Sequence, residues 1–147
     1  MADVGQQIPI KEMPATENER QQLSNNFWLY EFDCRDGTPV PDELVPELEK
    51  FVAKNLQPLR EFLDSRIFIT SAYRTPQYNA AVGGVKNSYH LYDKGAFAVD
   101  VQVQGVEPAL VKVMIEGLIN LGIMEEGGVG LYKNFVHYDN RGYRARW

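Results

Sequence analysis

Strand-like and helix-like runs follow one another along this chain without a regular repeat, and that order limits the fold more than any other feature of the sequence. The run Arg66-Ile67-Phe68-Ile69-Thr70-Ser71 is rich in β-branched residues and predicts a strand. Ala96 to Val103 alternates and is rich in Val, which predicts a second. Gly128–Tyr132 and Phe135–Asp139 predict two short strands joined by a tight turn at Lys133-Asn134. Between these runs the periodicity turns helical. Leu44, Val45, Leu48, Phe51 and Val52 fall at helical spacing after Asp42, a candidate N-cap, and Leu59, Phe62 and Leu63 extend them. Pro58 is expected to kink or split that helix. Thr75-Pro76 opens a short helix that should end at Gly83-Gly84. Glu107-Pro108 opens another that runs to Leu121 and stops at Gly122. Its apolar stripe (Leu110, Val111, Met114, Ile115, Leu118, Ile119) reads as core. A parallel sheet would need strands and helices in strict alternation. The mixture seen here predicts an α+β fold, with a small, largely antiparallel sheet and flanking helices.

The 147 residues and 44% hydrophobic content suffice for one packed domain. Residues 1–22 are polar, carry two prolines and show no periodicity, so they read as an extended N-terminal arm before a domain over 23–147. A net charge of -5 argues against nucleic acid as a partner, because neutralising phosphates needs a surplus of Lys and Arg. Arg141, Arg144 and Arg146 gather near the end of the sequence and read as a solvated segment. Cys34 has no second cysteine to pair with. Its acidic neighbours Asp33 and Asp36 disfavour a thiolate, so it reads as structural. No run is long enough for a membrane span, and the N-terminus lacks the basic-then-apolar pattern of a signal peptide.

Histidine is scarce, which focuses the search for chemistry. The two histidines, His90 and His137, each lie near aspartates. On the predicted strand, Phe135, His137 and Asp139 share a face. His90 sits in a polar loop leading to the strand that carries Asp100. Two imidazoles and a carboxylate suffice for a catalytic zinc and leave a fourth position for water. By themselves, two distant histidines do not establish a shared metal. His137-x-Asp139 is also half of a non-haem iron triad, but the second histidine expected downstream is missing.

Several phrases occur in one order: Ser71-Ala72-Tyr73-Arg74-Thr75-Pro76-Gln77-Tyr78-Asn79, Gly83-Gly84-Val85-Lys86-Asn87-Ser88-Tyr89-His90, Ala98-Val99-Asp100, Gly127-Gly128-Val129-Gly130 and Phe135-Val136-His137-Tyr138-Asp139. Together they resemble the zinc D-alanyl-D-alanine carboxypeptidase and murein endopeptidase family, which shares its core fold with the Hedgehog signalling domain. The resemblance spans roughly residues 24–147. It implies Zn2+ held by His90, Asp100 and His137, with Arg74 helping to hold substrate or the site. It also implies a peptidoglycan peptide containing D-amino acids as substrate; the chain is expected to be a monomer. The expected location is the cytoplasm at synthesis, with release to the cell wall in lysis or a recycling role.

Two departures from the family's pattern matter. The family usually writes His-x-x-Gly-x-Ala-x-Asp, whereas His90 and Asp100 stand ten positions apart and Asp93 falls where glycine is expected. Either the loop bulges or Asp93 itself reaches the metal; Asp100, on a rigid strand, is the preferred ligand. Many relatives also carry an acid three positions before the last histidine, and here that position is Asn134. Asp139 is then the candidate general base, or alternatively a partner that only buttresses His137. Glu125 and Glu126 read as solvated, and Tyr73, Tyr89, Tyr92 and Tyr132 as candidates to line a cleft. These departures leave room for a zinc-retaining binding module without turnover, and, more remotely, for a structural protein without metal.

Overall fold

A computed structural model of the protein describes residues 21–147. The expected arm therefore lies outside the described residues, apart from Gln21 and Gln22. Gln22 already belongs to strand β1 (Gln22–Ser24), which forms a small antiparallel ribbon with β2 (Phe27–Trp28). The main sheet has five strands: β3 (Ile67–Ser71), β4 (Ala98–Val103), β5 (Gly128–Leu131), β6 (Val136–Asp139) and β7 (Ala145–Arg146). Their spatial order is β3-β4-β6-β5-β7, and every pairing is antiparallel except β5 with β7. The fold is α+β with flanking helices, in agreement with the irregular order of the elements. The ribbon and β7 are too short to show any periodicity in sequence.

Helices α1 (Val45–Phe51) and α2 (Gln57–Leu63) are joined without a break by a π-helical turn over Val52–Leu56. The expected kink at Pro58 is thus replaced by local widening just before the proline, which sits in the first turn of α2, where a missing N–H costs least. Asp42 makes no cap bond; it opens a 3-10 turn (Asp42–Leu44) ahead of α1. The widened turn directs Asn55 into the interior. There Asn55 accepts from the Tyr138 hydroxyl at 2.9 Å and from Glu125 N at 2.8 Å, pinning the core side of β6.

Helix α3 (Pro76–Ala81) starts at its predicted cap: the Thr75 side chain accepts from Tyr78 N at 3.1 Å. Helix α4 (Pro108–Asn120) buries Val111, Ile115 and Leu118, whereas Leu110, expected in the core, is 46% exposed. The buried residues form an i, i+4, i+7 stripe from Val111, and Leu110 stands about 100° round the helix from it. Val99, Val101, Val129, Val136 and Tyr138 face the same core from the sheet, with Phe51 stacked 6.0 Å from Tyr138. Because side chains alternate along a strand, Asp100, His137 and Asp139 stand on the opposite face.

Among the described residues, no helix is long and apolar enough to cross a membrane.

Candidate metal centre

Asp100 on β4 and His137 on β6 are direct cross-strand partners, so sheet register alone places them side by side. His90 arrives from a separate segment. Ser88 caps the 3-10 turn Tyr89–Leu91 by accepting from His90 N at 3.1 Å, and the His90 carbonyl accepts from Arg74 N at 2.8 Å. The extra residues between His90 and Asp100 bulge outward. Tyr92 (φ 59°) and Gly95 (φ 75°) turn the chain, and the buried Tyr92 hydroxyl bonds Ala98 O at 2.9 Å. Asp93 stays at the surface, paired with Lys94 at 2.8 Å. Of the two aspartates considered for the site, the structure brings Asp100 to the histidines and leaves Asp93 outside.

His90, Asp100 and His137 are all buried, and one ligand atom from each lies within 4.8 Å of the others. Hydrogen bonding decides which atoms these are. His90 Nδ1 is 2.7 Å from Ala72 O, a carbonyl that can only accept, so Nδ1 carries a proton and Nε2 is left facing Asp100 Oδ1 at 3.2 Å. His137 Nε2 donates to Asp139 Oδ2 at 2.6 Å, which leaves Nδ1 facing the same Asp100 oxygen at 3.1 Å. With neutral imidazoles, three lone pairs converge. A bare convergence of acceptors is repulsive and calls for a cation between them. Two imidazole nitrogens and one carboxylate oxygen are a donor set that suits zinc.

Electrostatics agree with this reading. Burial raises the pKa of Asp100. When the facing nitrogens carry protons instead, they donate to Asp100, and these hydrogen bonds from His137 and His90 outweigh burial and hold the carboxyl well below its usual range. For His137, burial favours the neutral ring, while the bonds to Asp100 and Asp139 raise its pKa on balance. Asp100 thus favours a positive charge, a proton or a metal ion, between itself and the two rings.

Arg74 stands behind Asp100. Its Nη2 is 3.4 Å from Asp100 Oδ2, Nε donates to Ser71 Oγ at 3.2 Å, and Nη1 donates to Asn79 Oδ1 at 3.1 Å. All three nitrogens are engaged by the protein. Asp139 is fully buried on the far side of the His137 ring. It accepts from His137, Arg141 and Gly128 N, and these bonds outweigh the upward effect of burial to hold its carboxyl well below the usual range.

The trio opens onto a cleft of about 390 Å³, whose lining includes Arg74, Tyr89, Tyr132, Phe135, Arg141 and Trp147. The tyrosines expected at a cleft divide. Tyr89 and Tyr132 line it, whereas Tyr92 is buried and Tyr73 packs on it at 5.6 Å. Asn134, Glu125 and Glu126 lie outside this lining, and among the described residues Asp100 is its one carboxylate.

Residues 25–139 match the family model for Peptidase M15. The chain belongs to the Peptidase M15 family. M15 peptidases are zinc-dependent, and the buried trio of this M15 domain is able to hold such an ion. No curated protein and no solved structure matches the chain.

Two features of the M15 site escaped sequence reading. Trp147 packs its ring 5.0 Å from His137, with Nε1 donating to the Tyr132 hydroxyl at 2.8 Å, and a Cβ at Gly130 would come within 2.4 Å of that ring. The segment read as solvated is also tied down. Arg141 binds Asp139, and Arg146 binds Glu116 and Glu126. A glycine inside a strand is a sign of close approach by a neighbour, and Gly128 and Gly130 were that sign here.

Proposed function

We propose that this M15 domain hydrolyses a peptide bond in bacterial peptidoglycan peptides, the stem or cross-link segments that contain D-amino acids, at a zinc ion held by His90 Nε2, Asp100 Oδ1 and His137 Nδ1. The observation that carries this reading is the convergence of those three buried acceptors on one open cleft. A zinc ion held there would supply Lewis acidity toward the scissile carbonyl and would lower the pKa of a bound water to about 7.

The chain's own residues then hold the geometry. Arg74 fixes Asp100 through Oδ2 and so leaves Oδ1 for the metal; with its nitrogens engaged by Ser71, Asn79 and Asp100, it acts here by holding the site. Asp139 fixes the His137 tautomer. Of the two roles considered for Asp139, its saturated environment behind the imidazole supports the buttress and leaves no free oxygen to take a proton from water. Tyr89, Tyr132 and Trp147 form walls that exclude solvent from a bound peptide.

A second reading, a binding module that keeps zinc without turnover, draws on the absence from the cleft lining, among the described residues, of any Asp or Glu side chain besides Asp100. One experiment separates the two. Purified protein with stoichiometric zinc is incubated with muropeptides, and the products are read by mass spectrometry beside a zinc-free control and His137→Ala. Zinc-dependent release of fragments that is lost in the variant supports the enzyme. Stoichiometric zinc without release favours the binding module, and full activity in His137→Ala overturns the proposed centre.

A further inference from the structure

Arg141 is where the two segments carrying the histidines meet. Its Nε and Nη2 donate to Asp139 Oδ1 and Oδ2, each at 2.8 Å, in the two-point geometry that makes such pairs strong and directional. Asp139 Oδ2 in turn receives His137 Nε2 at 2.6 Å, and Oδ1 also accepts from the backbone N of Gly128 and of Arg141 at 3.0 and 3.1 Å. On its other side, the guanidinium lies 4.4 Å from the centre of the Tyr89 ring, the residue next to His90. Trp147 and Tyr143 stand 5.3 and 5.7 Å away, and the Tyr89 and Tyr143 hydroxyls meet at 3.2 Å.

The space for this arrangement is built into β5. A Cβ at Gly128 would lie 2.5 Å from Asp139 Oδ2 and 2.7 Å from Arg141 Nη2, so only glycine leaves room for the pair. The other two arginines of the segment are spent elsewhere. Arg146 binds Glu116 and Glu126, and Arg144 is exposed, 3.8 Å from Glu116.

We propose that Arg141 is a positioning residue of the metal centre, acting on His137 through Asp139 and on the His90 loop through Tyr89. The two-point pair holds Asp139 in the one rotamer that presents Oδ2 to His137 Nε2–H. His137 is thereby obliged to turn Nδ1 toward Asp100. Without the guanidinium, Asp139 keeps only the backbone bonds to Oδ1 and the His137 bond to Oδ2, and the acceptor of the imidazole loses the fork that fixes it. Partners of this kind, one step behind a ligand, are worth about 10–100-fold in metal affinity. The inference rests on the metal centre proposed above but not on hydrolysis.

The test compares wild type, Arg141→Gln, Arg141→Lys and, as a control, Arg146→Gln. Zinc affinity is measured by competition with a chromophoric chelator, and the ring-nitrogen NMR signals of His137 are recorded in the zinc-loaded protein. With two histidines in the chain, those signals are readily assigned. Arg141→Gln is expected to weaken zinc about 10–100-fold and to replace the single His137 tautomer by exchange between two. Arg141→Lys, which keeps the charge and loses the fork, should fall between, and Arg146→Gln should match wild type in both readouts. Wild-type affinity and an unchanged His137 spectrum in a folded Arg141→Gln overturn the role. If that variant does not fold, Arg141→Lys decides by the same criterion. Wild-type protein that binds no zinc overturns the metal reading itself, whereas equal affinities across the series overturn only the part given to Arg141.

Discussion

Asp100 serves two masters with its two oxygens. Oδ1 faces both imidazoles and Oδ2 faces Arg74. Truncating it removes a proposed metal ligand and also strips Arg74, itself largely buried, of its carboxylate partner, and leaving a buried charge without a partner is costly. Asp93 differs in every respect that matters: it is exposed, and its partner is its neighbour Lys94. Asp100→Ala is therefore expected to abolish zinc binding and to lower stability, while Asp93→Ala should leave zinc affinity at the wild-type value, since Asp93 stands outside the site, and should cost at most about 1 kcal/mol of stability. Equilibrium dialysis against zinc with both variants checks this. Zinc loss in Asp93→Ala with retention in Asp100→Ala would reverse the assignment. The choice between the two was visible in sequence as a preference for the residue on the strand. The outward bulge that removes Asp93 was not, because it depends on Tyr92 adopting a left-handed conformation and burying its ring in the core.

At the level of elements, β7 is a two-residue strand whose backbone bonds to β5 are supplemented by side chains. Arg146 Nε and Nη2 bond Glu116 on α4 at 2.6 and 2.9 Å, and Nη2 also reaches Glu126 at 2.9 Å, so the pair clamps the sheet edge to the helix. The hydrogen bond from Arg146 leads the effects that hold the Glu116 carboxyl below its ordinary pKa, against a smaller upward push from burial. A carboxyl depressed in the folded state adds stability above its unfolded pKa of about 4.3 and loses it as pH falls through the folded value. Urea midpoints at pH 7 and in mild acid should accordingly show a larger acid loss for wild type than for Glu116→Gln; equal losses would mean the clamp contributes nothing. The elements legible in sequence were those long enough to show a period: β3, β4, β5, β6 and α4 lie within two residues of their expected bounds. The ribbon, β7 and the π-helical turn were not, since two- and three-residue strands carry no alternation, and the widened turn before Pro58 has no period of its own to show in sequence.

Across the whole molecule, the proposed centre joins parts of the chain that the hydrophobic core holds only from one side. His90 comes from a loop, Asp100 from β4 and His137 from β6. The two strands are tied by their ladder, but the His90 loop reaches the sheet's outer face chiefly through polar contacts: the bond to Ala72 O, the Arg74 N–H to His90 O bond and the Tyr89–Arg141 stack. A ligand that binds the folded state alone stabilises it by mass action, by about 2.7 kcal/mol at a concentration one hundred times its Kd. In a domain of this size each kcal/mol moves Tm by roughly 2–4 °C, so saturating zinc should raise Tm by about 5–11 °C over protein treated with a chelator. The increment should vanish in His137→Ala, which removes one ligand, and persist in Asp93→Ala. Differential scanning calorimetry with and without zinc measures it. A Tm indifferent to zinc in wild type would mean that the trio is held in place by its hydrogen bonds alone and that the three acceptors do not share an ion.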